Sequence, residues 1–378
     1  MNYDLTTEQK LVKDSAREFL TKEIDSEFVR EMIKDEKGYT EEHWHKMADL
    51  GWIGLLIPEP YGDFGMSFIE MALVLYEMGY ACFSGPFFST AVLGVTTLLE
   101  AGNDDQKKEI LPEVANGNRL LTLAWTEESA TYSPKGISLR ANPQDGDYIL
   151  SGTKLFVPDA HVADTIVCVA RTGEELAYEG DGVSLFIVDR KSPGIKINVL
   201  DSFMGDKLCE MHFDNVRIHK QNLLGEINQG WFVLKSVLQK GSVAKCAEMT
   251  GGAKKVLELA VDHAKKRIQF GRPIGSFQAV QHHCANILTY VDTSTFMTYQ
   301  ACWRISEGLE FEKEASMCKA WVGDSYRKLV ALTHQVMGGL GFMEEIDLNL
   351  YFNRAKAAEL AFGDGDFHRE LVARHMGL

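Results

Sequence analysis

The hydrophobic period changes twice along this chain, and that change limits its fold more than any other feature. From Met1 to about Asn118 apolar residues recur at helical spacing, from about Arg119 to Gly225 they alternate, and from Gly230 the helical spacing returns. Ser67 is followed by Phe68, Met71, Ala72, Val74, Leu75 and Met78, one buried helical face. Thr6 with Gln9 and Ser67 with Glu70 are capping-box pairs at helix starts, and 40–51 reads as a further capped helix. In the middle block Asp145-Gly146 is a hairpin turn between 137–139 and 148–150, and 165–170, 183–188, 195–200 and 208–213 are further strands. No helix of useful length separates them, which excludes a doubly wound fold and predicts an antiparallel sheet or small barrel. Segments 231–266, 276–306 and 312–335 read as long bundle helices, with Gly251-Gly252 placed to let a neighbouring helix approach closely.

A chain of 378 residues is too long for one hydrophobic core, so two or three packed parts are expected. The fold class is α+β: an N-terminal helical domain (1–118), a middle antiparallel β domain (119–225) and a C-terminal helical bundle (226–378). The formal charge of −15 argues against a nucleic-acid or anionic-membrane partner, and no apolar run is long enough to span a bilayer. Seven cysteines, scattered and without a CxxC, read as small buried hydrophobes in a reducing compartment. That points to a cytoplasmic enzyme. The eleven histidines show no metal-ligand spacing, so no metal is expected.

Three stretches carry possible chemistry. Arg267-Ile268-Gln269-Phe270-Gly271, ahead of Phe277-Gln278, reads as a phosphate-holding arginine with a stacking ring, or as a solvated arginine at a helix end. The run from Gln335 through Gly338, Gly339 and Gly341 to Phe342 either lets a backbone approach a dinucleotide or is a helix cap. It is no Rossmann fingerprint, since no strand precedes it. Trp125-Thr126-Glu127 and Phe156-Val157-Pro158 put aromatic and small polar groups at strand ends, for a flat heterocycle or for ordinary sheet packing.

Taken together and in this order, these stretches resemble the acyl-CoA dehydrogenase family over essentially the whole chain. Further likeness lies in Gly51-Trp52-Ile53-Gly54-Leu55, the Ile57 to Gly62 run, Asp214-Asn215-Val216 and Leu224-Gly225-Glu226. The resemblance implies the acyl-CoA dehydrogenase fold, an FAD-dependent oxidoreductase and a homotetramer or an α2β2 assembly with a related chain. It implies an acyl-CoA thioester dehydrogenated to the 2-enoyl-CoA, as in fatty acid metabolism, with electron-transfer flavoprotein as acceptor. For FAD it implies Trp125, Thr126, Phe156 and Val157 at the isoalloxazine. Arg267, Phe270, Gln278, Gln335, Gly338 and Gly339 would serve the pyrophosphate and adenosine end of a neighbour's FAD, with Asp364 and Asp366 at positions that usually contact adenosine.

The chain departs from the family pattern where the chemistry is decided. Counting back from Arg369, Gly363 matches the glycine of the usual Tyr-Glu-Gly run, so Phe362 stands where the catalytic glutamate belongs. The alternative base position, on the first long C-terminal helix, falls at Gly241. Neither residue can accept a proton, and no catalytic base is assigned. Pro158 replaces the threonine expected near flavin N5, and Ala130-Thr131-Tyr132-Ser133 replaces the usual Gly-Ser-Asp loop. These features resemble bacterial two-gene acyl-CoA dehydrogenases, the small subunit of pimeloyl-CoA dehydrogenase among them. They leave two alternatives open: a base-lacking FAD-binding subunit, and a flavin oxidase or monooxygenase on the same scaffold.

Overall fold

A computed structural model describes residues 4–62, 64–174, 180–202 and 205–378. In chain order the elements are α1 (Thr7–Glu23), α2 (Ser26–Lys34), α3 (Glu41–Asp49), α4 (Phe68–Tyr80), α5 (Val95–Ala101) and α6 (Asp104–Ala115). Strands follow: β1 (Leu121–Ala124), β2 (Arg140–Gln144), β3 (Asp147–Pro158), β4 (Thr165–Arg171), β5 (Val183–Asp189), β6 (Ile195–Val199), β7 (Leu208–Ile218) and β8 (Leu223–Leu224). Then come α7 (Gly230–Lys266), the two-residue strands β9 (Ile268–Gln269) and β10 (Arg272–Pro273), α8 (Gln278–Ser306), α9 (Glu312–Met337), α10 (Leu348–Leu360) and α11 (Gly365–His375). The chain forms two compact units.

One unit gathers Met1–Glu31, Ser67–Phe83 and Gln239–Leu378. Its helices start where the sequence signals them: Thr6 and Ser67 both close capping boxes, with Gln9 and Glu70 as reciprocal partners. Replacing Ser67 by Ala removes the capping hydroxyl, one of two acceptors of the Ile69 N–H beside the Ser306 hydroxyl, and is expected to cost about 1 kcal/mol, read as a lower urea midpoint at unchanged slope. Gly251 and Gly252 make the close approach expected of them: a Cβ at Gly251 would run into the Tyr76 carbonyl on α4, and one at Gly252 into the Tyr326 hydroxyl on α9. Arg17 of α1 pairs with the buried Glu77 of α4 and lies 3.4 Å from the centroid of the Tyr80 ring.

The other unit comprises Met32–Met66 and Ser84–Leu238. Its eight-stranded sheet runs β6-β7-β3-β2-β4-β5-β8, with β1 paired to β4. The sheet is mixed, which corrects the expectation of a purely antiparallel one: β1 lies parallel to β4, Leu121 opposite Thr165. The predicted strand at 137–139 is also corrected. Its backbone joins side chains and loops rather than a ladder with β3: the Leu139 N–H donates to Glu127, and Ile137 O accepts from Arg171 Nε. The hairpin strand begins at Arg140 instead, and Asp145-Gly146 turns it, both residues with positive φ. The sheet encloses Leu139, Leu150, Val157, Ile166, Cys168, Phe186, Met211 and Phe213 in one core.

All seven cysteines are free, six of them buried. Among the described residues no cluster of ligands suits a metal ion, and no helix is long and apolar enough to cross a membrane.

Candidate active site

In the sheet-bearing unit, the predicted heterocycle-binding stretches meet. The Leu155 N–H donates to the Thr126 carbonyl at 2.9 Å, tying the segment after β1 to the end of β3. Pairing of β3 with β7 is interrupted between Lys154 and Val157, and Phe156 takes φ 54° with half its surface exposed. A bulge of this kind turns a side chain off the regular pleat, here the Phe156 ring. Val157 returns inward and is buried. Pro158 supplies no N–H, its carbonyl accepting instead from the Thr122 hydroxyl. In the altered loop Tyr132 packs on Trp125, centroids 5.2 Å apart.

Two residues that the sequence reading left without a role stand out here. Lys154 is wholly buried, and its Nζ donates to Glu127 Oε1 at 2.6 Å, with the Trp125 carbonyl 3.4 Å away. Glu127 also accepts from the Ser138 N–H, the Ser138 hydroxyl and the Leu139 N–H. Burial opposes charge on Glu127, yet Lys154 and these donors hold its carboxyl below the usual range. The available signal was the parity of β3, which puts Lys154 on the same face as Leu150.

In the helical unit, the turn joining α10 to α11 carries Phe362, with φ 61°. A bulky residue in the left-handed region is strained and persists only where its surroundings fix it. Here the fully buried Lys319 of α9 donates to the Glu359 and Gly363 carbonyls at 2.9 and 2.8 Å, and His368 Nε2 donates to Phe362 O at 2.9 Å. Sequence reasoning missed both clamps, because nothing in local periodicity marks a lysine in a helix as buried. Asp364 caps α11 by accepting from the Phe367 N–H, and Asp366 pairs with Arg369, so both predicted adenosine contacts also have local partners.

Burial, and then the Lys319 charge, push His368 down to about 4. An unfolded histidine titrates near 6.5, so between about 6.5 and 4 the unfolded chain binds the extra proton and stability rises with pH. The penalty reaches about 3 kcal/mol by pH 4. His368→Gln is expected to flatten that acid limb, as urea midpoints measured from pH 7 to 4.5 will show.

The remaining predicted residues lie apart from that turn. Arg267 directly follows α7, Phe270 sits in the β9–β10 turn with 90% of its surface exposed, and Gln278 opens α8. Gln335 is exposed near the end of α9, and a Cβ added at Gly338 or Gly339 would meet open space. Each of these groups is reached by solvent, and an exposed guanidinium or an unshielded backbone N–H is the kind of donor that a phosphate takes. Gly241 is buried within α7.

A helix–sheet–helix chain that carries the motifs singled out in its sequence is expected, by resemblance, to be a flavin-type dehydrogenase. Three family profiles bear this out: residues 6–118 match the acyl-CoA dehydrogenase N-terminal domain, 122–216 the middle domain and 228–377 the C-terminal domain. Acryloyl-CoA reductase (NADH) of Anaerotignum propionicum is 30% identical over 382 residues, covering 100% of this chain and 96% of that protein. Caffeyl-CoA reductase-Etf complex subunit CarC of Acetobacterium woodii is 27% identical, covering 97% of each. In fold the chain is similar to butyryl-CoA dehydrogenase from Megasphaera elsdenii, with TM-score 0.92, 24% identity and full coverage of both chains. The chain belongs to the acyl-CoA dehydrogenase family and is an oxidoreductase of that family.

Proposed function

We propose that this chain binds FAD and takes part in the α,β-dehydrogenation of an acyl-CoA thioester to the 2-enoyl-CoA, with electron-transfer flavoprotein as electron acceptor. The observation that carries this reading is the bulged edge, Phe156 turned outward beside the Trp125-Thr126 segment, in a chain of this family. FAD, when bound, supplies the acceptor for the β-hydrogen as hydride. Trp125, Thr126, Phe156 and Val157 would hold its ring system. Arg267, Phe270, Gln278, Gln335, Gly338 and Gly339 would hold the dinucleotide end of a neighbour's FAD, with Asp364 and Asp366 at its adenosine. The partner flavoprotein is supported by the Etf complex named for the Acetobacterium relative. The domain limits 1–118, 119–225 and 226–378, and a cytoplasmic location suited to seven free cysteines, belong to the same proposal.

A second reading is favoured by Phe362. An α-proton leaves a thioester only if a base stands ready and the developing oxyanion is stabilised. Phe362 and Gly241 offer no base, so the chain serves as the base-lacking FAD-binding subunit of a heterotetramer, similar to the small subunit of pimeloyl-CoA dehydrogenase. Anaerobic titration with a panel of acyl-CoAs separates the two. Bleaching of the flavin by this chain alone, as a homotetramer, would remove the second reading. Bleaching only with a co-purified related chain supports it, and no bleaching under either condition sinks the dehydrogenase reading. Rapid reaction of the reduced flavin with oxygen would point to an oxidase or monooxygenase on the same fold.

A further inference from the structure

The bulge at Leu155-Phe156 has little of its own to hold it. Its ladder with β7 lapses between Lys154 and Val157, and Phe156 takes a backbone conformation that side chains disfavour. What flanks it is a buried ion pair. Lys154 is the residue before the bulge, and Glu127 is the residue after Thr126, whose carbonyl takes the Leu155 N–H. Glu127 reaches on to Ser138 and Leu139, so one carboxylate joins three backbone segments: 125–127, 138–139 and 154–155. A buried ion pair is a poor way to stabilise a fold, since apolar residues of similar volume often do as well or better. It does fix geometry, because each group accepts few arrangements in which all its hydrogen bonds are made.

We propose that the Lys154–Glu127 pair is a positioning device for FAD: it sets the spacing and tilt of the 125–126 and 155–158 edges, and flavin affinity and the bound flavin spectrum depend on it. This rests on the reading that these edges hold the isoalloxazine. Neither side chain is required to touch the flavin. Their effect passes through the Thr126–Leu155 bond and the Phe156 bulge.

The test uses the full chain, purified alone and with any related partner chain, and reads FAD binding by fluorescence together with the visible spectrum. The double variant Glu127→Gln/Lys154→Met removes both charges at similar volume and leaves no lone buried ion. It is expected to melt cooperatively near the temperature of the unsubstituted apo-protein. Its FAD dissociation constant should rise about tenfold or more, and its flavin bands should shift towards those of free FAD, as loosened preorganisation predicts. An unchanged constant and spectrum in the folded double variant overturn the proposal. Should the double variant fail to fold, Glu127→Gln alone decides, since its amide oxygen can still accept from Leu139: weaker FAD binding supports the role, and unaltered binding ends it. If the unsubstituted protein takes up no FAD under any of these conditions, the flavin reading itself has failed. Uptake by the unsubstituted protein with no change in the variants defeats the positioning role alone.

Discussion

Phe362→Glu is expected to give this chain α-proton abstraction, raising the rate of anaerobic flavin bleaching by an acyl-CoA roughly 10²- to 10⁴-fold over the unsubstituted chain. That range is the usual contribution of a placed general base. The expectation rests on the turn and not only on the alignment. Lys319 holds the carbonyls of Glu359 and Gly363, His368 holds that of Phe362, and position 362 sits at φ 61° between them. The backbone that would present a base is therefore kept although the base is gone. Glutamate needs no backbone change that phenylalanine has not already accepted. Exchange of the thioester α-hydrogen with deuterated solvent should rise in parallel. A variant that folds and binds FAD, yet bleaches and exchanges no faster than the parent, would show that this turn does not present residue 362 to the substrate.

Lys319→Met should have the largest effect on stability, a loss of about 4 kcal/mol. Each charge-assisted bond contributes about 1.5–3 kcal/mol, and removing the ammonium leaves the Glu359 and Gly363 carbonyls buried without that donor. Part of the loss is offset, because burial pushes the Lys319 ammonium down from the ordinary lysine range and the methionine has no charge to desolvate. The Glu359 carboxylate, engaged by Arg327 at 2.9 Å and Lys356 at 2.8 Å, is itself an acceptor and supplies no replacement donor. Urea unfolding monitored by tryptophan fluorescence gives the number, and a cost below about 1 kcal/mol would mean that the turn holds itself. In a Phe362→Glu background, the same change should also erase the gained proton transfer, because the strained residue would relax.

The two helical blocks and the sheet between them were legible because periodicity is a local property: 3.6 residues for one buried helical face, two for a strand. Helix starts at Thr6 and Ser67 and the turn at Asp145-Gly146 were legible for the same reason. The pairing of β1 with β4 was not, since parallel partners lie far apart in sequence and no turn residue fixes their register. Nor was the fate of 137–139, where apolar residues at strand spacing give their backbone groups to the Glu127 side chain and to Arg171 instead of to β3. At the site, the sequence singled out Trp125, Thr126 and Phe156 by their chemistry, and Phe362 and Gly241 by what they lack.

The sequence by itself thus determined the family, the order of helical and sheet blocks and the absence of a base at both expected positions, because each is written in residue type and short spacing. Only the tertiary structure decided which charges are buried. Lys154 against Glu127, and Lys319 against the α10–α11 turn, bring together residues 27 and 44 positions apart. Strand parity hints that Lys154 faces inward, but its partner Glu127, and the burial of Lys319 within a helix, come only with packing. Burial is a property of what surrounds a side chain, and those surroundings are assembled from segments that no local pattern joins.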